Sequence, residues 1–149
     1  MTTCRHDSLG RSIYLTSQVI RTNIDRLLKP SDLTREQLHL LRALDLHNGR
    51  PQNEIGGLTG KSPANITRIL DRLEKKNLIV RREHPKDRRS QLVLLTIEGA
   101  ELRNEMSRLI EALSSRIEEN IDKEDMAVVV RVLGQMEANL LQISKDSGD

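Results

Sequence analysis

The chain has 149 residues, of which 36% are hydrophobic and 31% charged, enough for one domain with a real core and too few for two comfortable ones. It contains no Phe, no Trp, one Tyr and one cysteine, Cys4, so aliphatic side chains must build the core, and a disulfide framework or thiolate-rich zinc site is excluded. The net charge of +2 is unevenly spread: residues 61–97 carry 10 basic and 4 acidic side chains, whereas residues 98–149 carry 6 basic and 12 acidic.

The first helix is expected from Leu9 to Leu28, stopping before Lys29-Pro30 because the residue preceding a proline resists helical geometry. Ile13, Ile20, Ile24 and Leu27 follow a 3.5-residue spacing if Ser17 joins the seam. Thr34 and Gln37 form a capping box for a second helix, with Leu33 and Leu38 as its staple. Leu38, Leu41 and Leu44 give it a buried stripe, and Asn48-Gly49 is expected to end it. A third, short helix is expected to begin at Pro51 and to offer Ile55 and Leu58 to the core, weakened by Gly56-Gly57 by about 1 kcal/mol per glycine. Ser62-Pro63 starts a fourth helix, serine as N-cap and proline at the first helical position. Its Ile66, Ile69, Leu70 and Leu73 share one face.

After Asn77 the period changes from helical to extended. Leu78–Arg82 and Gln91–Thr96 read as strands, and the polar residues 84–90 between them read as the loop of a charged hairpin. A long helix follows with Leu102, Met106, Leu109, Leu113, Ile117 and Ile121 on one stripe. The last helix carries Met126, Val129, Leu133, Met136, Leu140 and Ile143 at alternating spacings of three and four, a heptad-type seam.

Two short helices joined by a glycine-containing turn and followed by a basic hairpin make a winged helix-turn-helix. At about 100° per residue, the fourth helix turns Ala64, Arg68, Asp71, Arg72 and Lys75 away from Ile66, with Asn65 and Thr67 flanking. Arg68 and Arg72 repel each other at i, i+4, a cost that a polyanion would remove. Amide, hydroxyl and guanidinium groups on such a face are the types that read base edges. The blander alternative is a solvated face on which these arginines pair with Asp71 and its neighbours, and Asp71–Lys75 is a favourable spacing. The adjoining basic hairpin favours the nucleic-acid reading.

The segment from Asp87 to Gly99, with its D-x-R, alternating apolar residues and T-x-x-G, resembles the wing and following strand of the MarR (multiple antibiotic resistance regulator) family. Ile66 to Ile79 is similar to that family's recognition helix and strand, and the helix order on both sides matches over about residues 9–145. The resemblance implies a mainly α fold with a small β-hairpin: a winged helix-turn-helix at 34–97 within one 1–149 domain, with dimerisation helices at 9–30 and 98–145. It implies a homodimeric, cytoplasmic transcriptional regulator, a repressor on a pseudo-palindromic duplex, whose geometry a small effector can alter. Position by position, Arg89 matches the wing arginine that enters the minor groove and Asp87 the acid that shapes the wing. Ser62, Asn65, Thr67 and Arg68 fall on major-groove positions. Pro63, Arg72, Lys86 and Arg88 complete the expected DNA-binding set. Gly56-Gly57 departs from the better helix formers usual in relatives.

Dimerisation is expected through Ile13, Ile20, Met126, Val129, Leu133, Met136 and Leu140, because their seams supply more apolar surface than so small a domain covers alone. Two alternatives accompany this reading. One is a redox-sensing regulator acting through Cys4; the other is a winged-helix module that binds an acidic protein. His6, His39, His47 and His84 show no ligand spacing and no phosphate loop or nucleophile motif occurs, so no catalytic residue, metal or cofactor is expected. No membrane association is expected either, since no apolar run approaches about 18 residues and no signal-peptide core precedes the first helix.

Overall fold

The computed structural model describes residues 8–60 and 62–146. Helix α1 spans Leu9–Leu28, the expected range, and the Ser8 side chain accepts the Arg11 N–H at its start. Proline at position 30 converts the chain to a 3-10 turn, Lys29–Ser31, which ends on Asp32 in the left-handed region at φ 52°. Helix α2 spans Arg35–Arg42 under a complete capping box: Gln37 N–H donates to Thr34 Oγ1 at 3.2 Å, and Thr34 N–H donates to Gln37 Oε1 at 3.1 Å. Leu33 and Leu38, the expected staple, are both buried.

Helix α2 stops at Arg42, several residues before the expected Asn48-Gly49. The cause is local. Asp45 Oδ1 accepts the N–H groups of His47 at 2.8 Å and Asn48 at 3.0 Å, a turn that competes with helical pairing for the same donors. Leu44 nevertheless stays buried.

The third helix begins one residue later than expected. Arg50–Pro51 forms a two-residue strand, β1, and α3 runs over Gln52–Thr59 with Pro51 as its N-cap. Proline lacks the N–H that a central strand must donate, and β1 lies at the edge of the sheet, where that loss is tolerated. Gly60 in the left-handed region closes α3. Helix α4 spans Pro63–Lys75 with Ile66, Ile69, Leu70 and Leu73 all buried, as their spacing requires. Asn77 takes φ 56°, letting Leu78 N–H return to the Leu73 carbonyl at 3.0 Å, a left-handed helix stop.

Strands β2 (Ile79–His84) and β3 (Asp87–Leu95) pair antiparallel, and β1 joins the other side of β3, giving the order β1-β3-β2. The expected seven-residue loop is therefore corrected to a turn at Pro85-Lys86, with pairing resuming at His84–Asp87. The register shifts between Glu83–Gln91 and His84–Asp87, so Arg88, Arg89 and Ser90 sit in a bulge. A polar, charged tip hides such pairing because its side chains carry no burial alternation.

Helix α5 (Ile97–Ile117) begins at the base of the wing. Thr96 Oγ1 accepts the Gly99 N–H at 2.9 Å and donates to the Asn77 carbonyl at 2.7 Å. Thr96 N–H donates to the Leu78 carbonyl at 3.1 Å. A Cβ on Gly99 would lie 1.9 Å from that same oxygen, so T-x-x-G is a packing motif in which the glycine admits the backbone of Leu78, just ahead of β2. Helix α6 covers Lys123–Asp146.

The chain divides into two compact units, with the boundary after Glu111. The core belongs to the first and gathers Leu28, Leu40, Leu41, Ile55, Leu70 and Val93, among others. In the second, no described residue is buried.

Candidate nucleic-acid interface

Helix α4 presents a polar face because its apolar stripe is held by the core. Ile66 is 1% exposed and Leu70 and Leu73 are fully buried, which forces Ser62, Pro63, Ala64, Asn65, Thr67, Arg68, Asp71, Arg72 and Lys75 to the surface. Ser62 occupies the N-cap position with extended dihedrals, and its carbonyl accepts from Asn65 and Ile66. Its hydroxyl makes no capping bond, contrary to the usual use of serine there, and stays exposed.

The charges on this face divide into two groups. Arg81, on β2, reaches back to α4: Nη2 pairs with Asp71 Oδ1 at 2.8 Å and Nη1 with Glu74 Oε2 at 2.6 Å, leaving the arginine side chain 12% exposed. Lys76 pairs with Asp32 Oδ2 at 2.9 Å and also donates to the Asp32 carbonyl. These two cations, part of the basic stretch in the sequence, are thus neutralised. The Asp71–Lys75 pair that the blander alternative offered is absent among the described residues, and Asp71 serves Arg81 instead. Among the described residues, no carboxylate pairs with Arg68, Arg72, Lys75, Arg82 or Lys86.

Adjacent Arg81 and Arg82 part company because successive strand residues point to opposite faces. Arg81 turns toward α4, while Arg82, opposite Leu92 in the ladder, is exposed. That alternation, with Asp71 and Glu74 one helical turn apart, was the available signal for the Arg81 clamp. Gln52 is the other residue that reading the sequence misses. Its Oε1 accepts from Arg81 Nε at 3.1 Å, and its Nε2 donates to Thr67 Oγ1 at 3.1 Å.

In the wing, Lys86 and Asp87 are exposed, and Lys86 N–H donates to His84 Nδ1 at 3.2 Å. The backbone of Arg88 and Arg89 belongs to β3, and their side chains lie outside the described structure, as does the whole of Cys4. A cleft of about 440 Å³ opens between α3, α4 and the wing, lined among others by Gln52, Asn53, Pro63, Thr67, Asp87 and Gln91. Of the expected dimerisation residues, Ile13, Ile20, Met126 and Met136 are half-buried, whereas Val129, Leu133 and Leu140 are 50%, 40% and 62% exposed. Among the described residues, no group of three or more His, Cys, Asp or Glu side chains could hold a metal ion, and no helix is long and apolar enough to cross a membrane.

Two short helices, a three-stranded sheet and an outward cationic helix face define a winged helix-turn-helix protein. Residues 33–91 match the sequence profile of the MarR family. Solved structures agree over most of the chain. The transcriptional repressor CouR, bound to a 23-mer DNA duplex, is 26% identical with a TM-score of 0.77 over 88% of this chain and 93% of that one. A mutant MarR from E. coli complexed with operator DNA is 26% identical with a TM-score of 0.75 over 86% and 92%. MepR, a regulator of the Staphylococcus aureus multidrug efflux pump MepA, shares the fold at 23% identity and a TM-score of 0.73 over 89% and 98%. The match to the MarR family thus lies in the winged helix-turn-helix part, and the structural neighbours include MarR-family transcriptional regulators.

Proposed function

We propose that this protein binds double-stranded DNA as a homodimer on a pseudo-palindromic operator and represses transcription from it. The observation that carries the reading is the division of charge on α4: the carboxylates of Asp71 and Glu74 are taken by Arg81, and Arg68 and Arg72 are left outward with no carboxylate of the described residues against them. In this reading α4 lies in the major groove, with Ser62, Pro63, Asn65, Thr67, Arg68 and Arg72 toward the duplex. Lys86, Arg88 and Arg89 follow the neighbouring minor groove and phosphates, and Asp87 shapes the wing. A narrow A·T-rich minor groove concentrates negative potential and favours the inserted Arg89. The part at 34–97 is the DNA-binding unit. Solved relatives carrying DNA, CouR and the E. coli protein, support this assignment.

Support for the dimer comes from residues 112–146. Helices with no buried residue gain little from packing, and isolated helices are marginal in water. A second copy covering Val129, Leu133 and Leu140 supplies the missing apolar contact, with residues 9–30 and 98–145 as the dimerisation part. Two-fold symmetry then spaces the recognition helices by about 34 Å, one turn of duplex. The acidic balance of residues 98–149 keeps that part away from phosphate. A small effector would act by favouring one helix spacing, and only through its differential affinity for the two arrangements.

Selection of bound sites from random duplexes at physiological salt tests the whole reading. The expected result is an enriched inverted repeat bound about 10³-fold or more above non-specific duplex. Absence of enrichment, with weak binding that salt abolishes, refutes it.

A further inference from the structure

Helix α4 carries three basic side chains, Arg68, Arg72 and Lys75, and two acidic ones, Asp71 and Glu74. Arg68 and Lys75 are seven residues apart, so about 100° per residue puts them within about 20° of each other on the outward side. Asp71 sits between them, three residues after Arg68 and four before Lys75. Both are neighbouring positions on a helix, and an acid four residues ahead of a base is the better order. Asp71 nevertheless pairs with neither, and its Oδ1 meets Arg81 Nη2 at 2.8 Å. Among the described residues, no other cation meets the Asp71 or Glu74 carboxylate. The fork of Arg81 explains the choice. It also engages Glu74 Oε2 at 2.6 Å and Gln52 Oε1 at 3.1 Å, so three groups fix a guanidinium that is largely shielded from solvent. An exposed pair of Asp71 with Lys75 gains far less.

We propose that Arg81, without touching the duplex, is a positioning residue for DNA binding: it holds the Asp71 carboxylate on the β2 side of α4 and so keeps Arg68 and Lys75 free for the nucleic acid. Lys75 thereby joins the DNA-facing cations as a phosphate contact, since the C-terminal end of a reading helix can reach the backbone. Without Arg81 the Asp71 carboxylate, already half-exposed, turns to Lys75 or Arg68, and the duplex loses a cation to a pair within the helix. Glu74 behaves differently on release. The positions three and four residues from it hold Leu70, Asp71, Asn77 and Leu78, none of them basic. The inference rests on the DNA-binding reading above.

The test is titration of a duplex enriched by the wild type, across ionic strength, with the full-length protein and its variants. Each phosphate neutralised adds about 0.9 to the slope of log affinity against log salt. Arg81→Leu should lower that slope by about 1, and Lys75→Gln should do the same. Adding Asp71→Asn to Arg81→Leu should return the slope to within about 0.3 of the wild type. Adding Glu74→Gln instead should recover less than half of the loss. A clamp that only supported the fold would not be mended by Asp71→Asn, which removes nothing but a carboxylate. Thermal melts identify a variant that fails to fold, and Arg81→Gln, which keeps amide donors without the charge, then replaces Arg81→Leu. An unchanged slope in a folded Arg81 or Lys75 variant overturns the inference alone. So does recovery that is absent, or equal for Asp71→Asn and Glu74→Gln. A wild type that enriches no duplex overturns the DNA-binding reading and this inference with it.

Discussion

Gly99→Ala probes the junction between the wing and α5. The added Cβ would stand 1.9 Å from the Leu78 carbonyl oxygen and 2.8 Å from its carbon, distances that no rotamer change relieves because both atoms are backbone. The helix start must move away from Leu78. Overpacking of this kind costs about 1–3 kcal/mol. The movement also stretches the Thr96 N–H bond to Leu78 and the Gly99 N–H bond to Thr96 Oγ1, a cap worth about 1 kcal/mol. A total near 3 kcal/mol is expected. With a urea slope of about 2 kcal/mol/M, the midpoint falls by roughly 1.5 M. Urea unfolding followed by circular dichroism, at one fixed protomer concentration, measures it. Gly57→Ala is the internal control, since a Cβ there meets nothing within 4 Å. That helical position should gain about 0.5–1 kcal/mol. A Gly99→Ala loss below about 1 kcal/mol would show that Leu78 does not constrain α5 and would refute the reasoning.

Thr96→Ala removes one acceptor and one donor at the same junction and should lose about 1 kcal/mol in the same assay, without the steric part of the Gly99 effect. Arg68→Ala should relax preference at one half-site position, whereas Arg82→Ala, exposed on the other face of β2, should weaken all duplexes evenly and lower the salt slope by about 1, both read by binding titrations across ionic strength. Equal, sequence-blind losses would contradict that division. Arg89→Ala should cost about 1–3 kcal/mol in binding free energy, most on A·T-rich flanks, by competition between duplexes of differing flank. The Asp45 carboxyl is held below the ordinary carboxylate range by the His47 and Asn48 N–H groups, with smaller help from the charges of His47 and Arg103. A depressed folded-state pKa stabilises above the unfolded value and is lost as pH falls through the folded one. Asp45→Ala should therefore flatten the loss of stability below about pH 4, measured by melts at stepped pH. An unchanged acid limb would remove Asp45 from that account.

Much of the fold was legible because each signal was local. The capping box at Thr34 and Gln37, the proline stop after Leu28 and the Ile66-Ile69-Leu70-Leu73 stripe need only residues within a few positions of one another, and each appears where the spacing places it. The outward face of α4 was legible for the same reason: an anchored stripe dictates what points away. The early end of α2 was missed although its cause, the Asp45 turn, is also local, because continued helix up to Asn48-Gly49 and a side-chain turn at Asp45 compete closely. Strand β1 was not legible at all. Two residues show no period, and Arg50–Pro51 is a strand only because β3 lies alongside.

Composition, periodicity and motif spacing thus determined on their own the helical class, the winged module and the residues on its outer face. Which cations that face keeps was decided by tertiary structure. Arg81 and Arg82 are chemically identical neighbours, and only the pairing of β2 against β3, with α4 packed over one side, commits the first to Asp71 and Glu74 and leaves the second exposed. The physical reason is that an ion pair depends on distance in space, and residues 71, 74 and 81 acquire that distance only when the strand folds back beneath the helix.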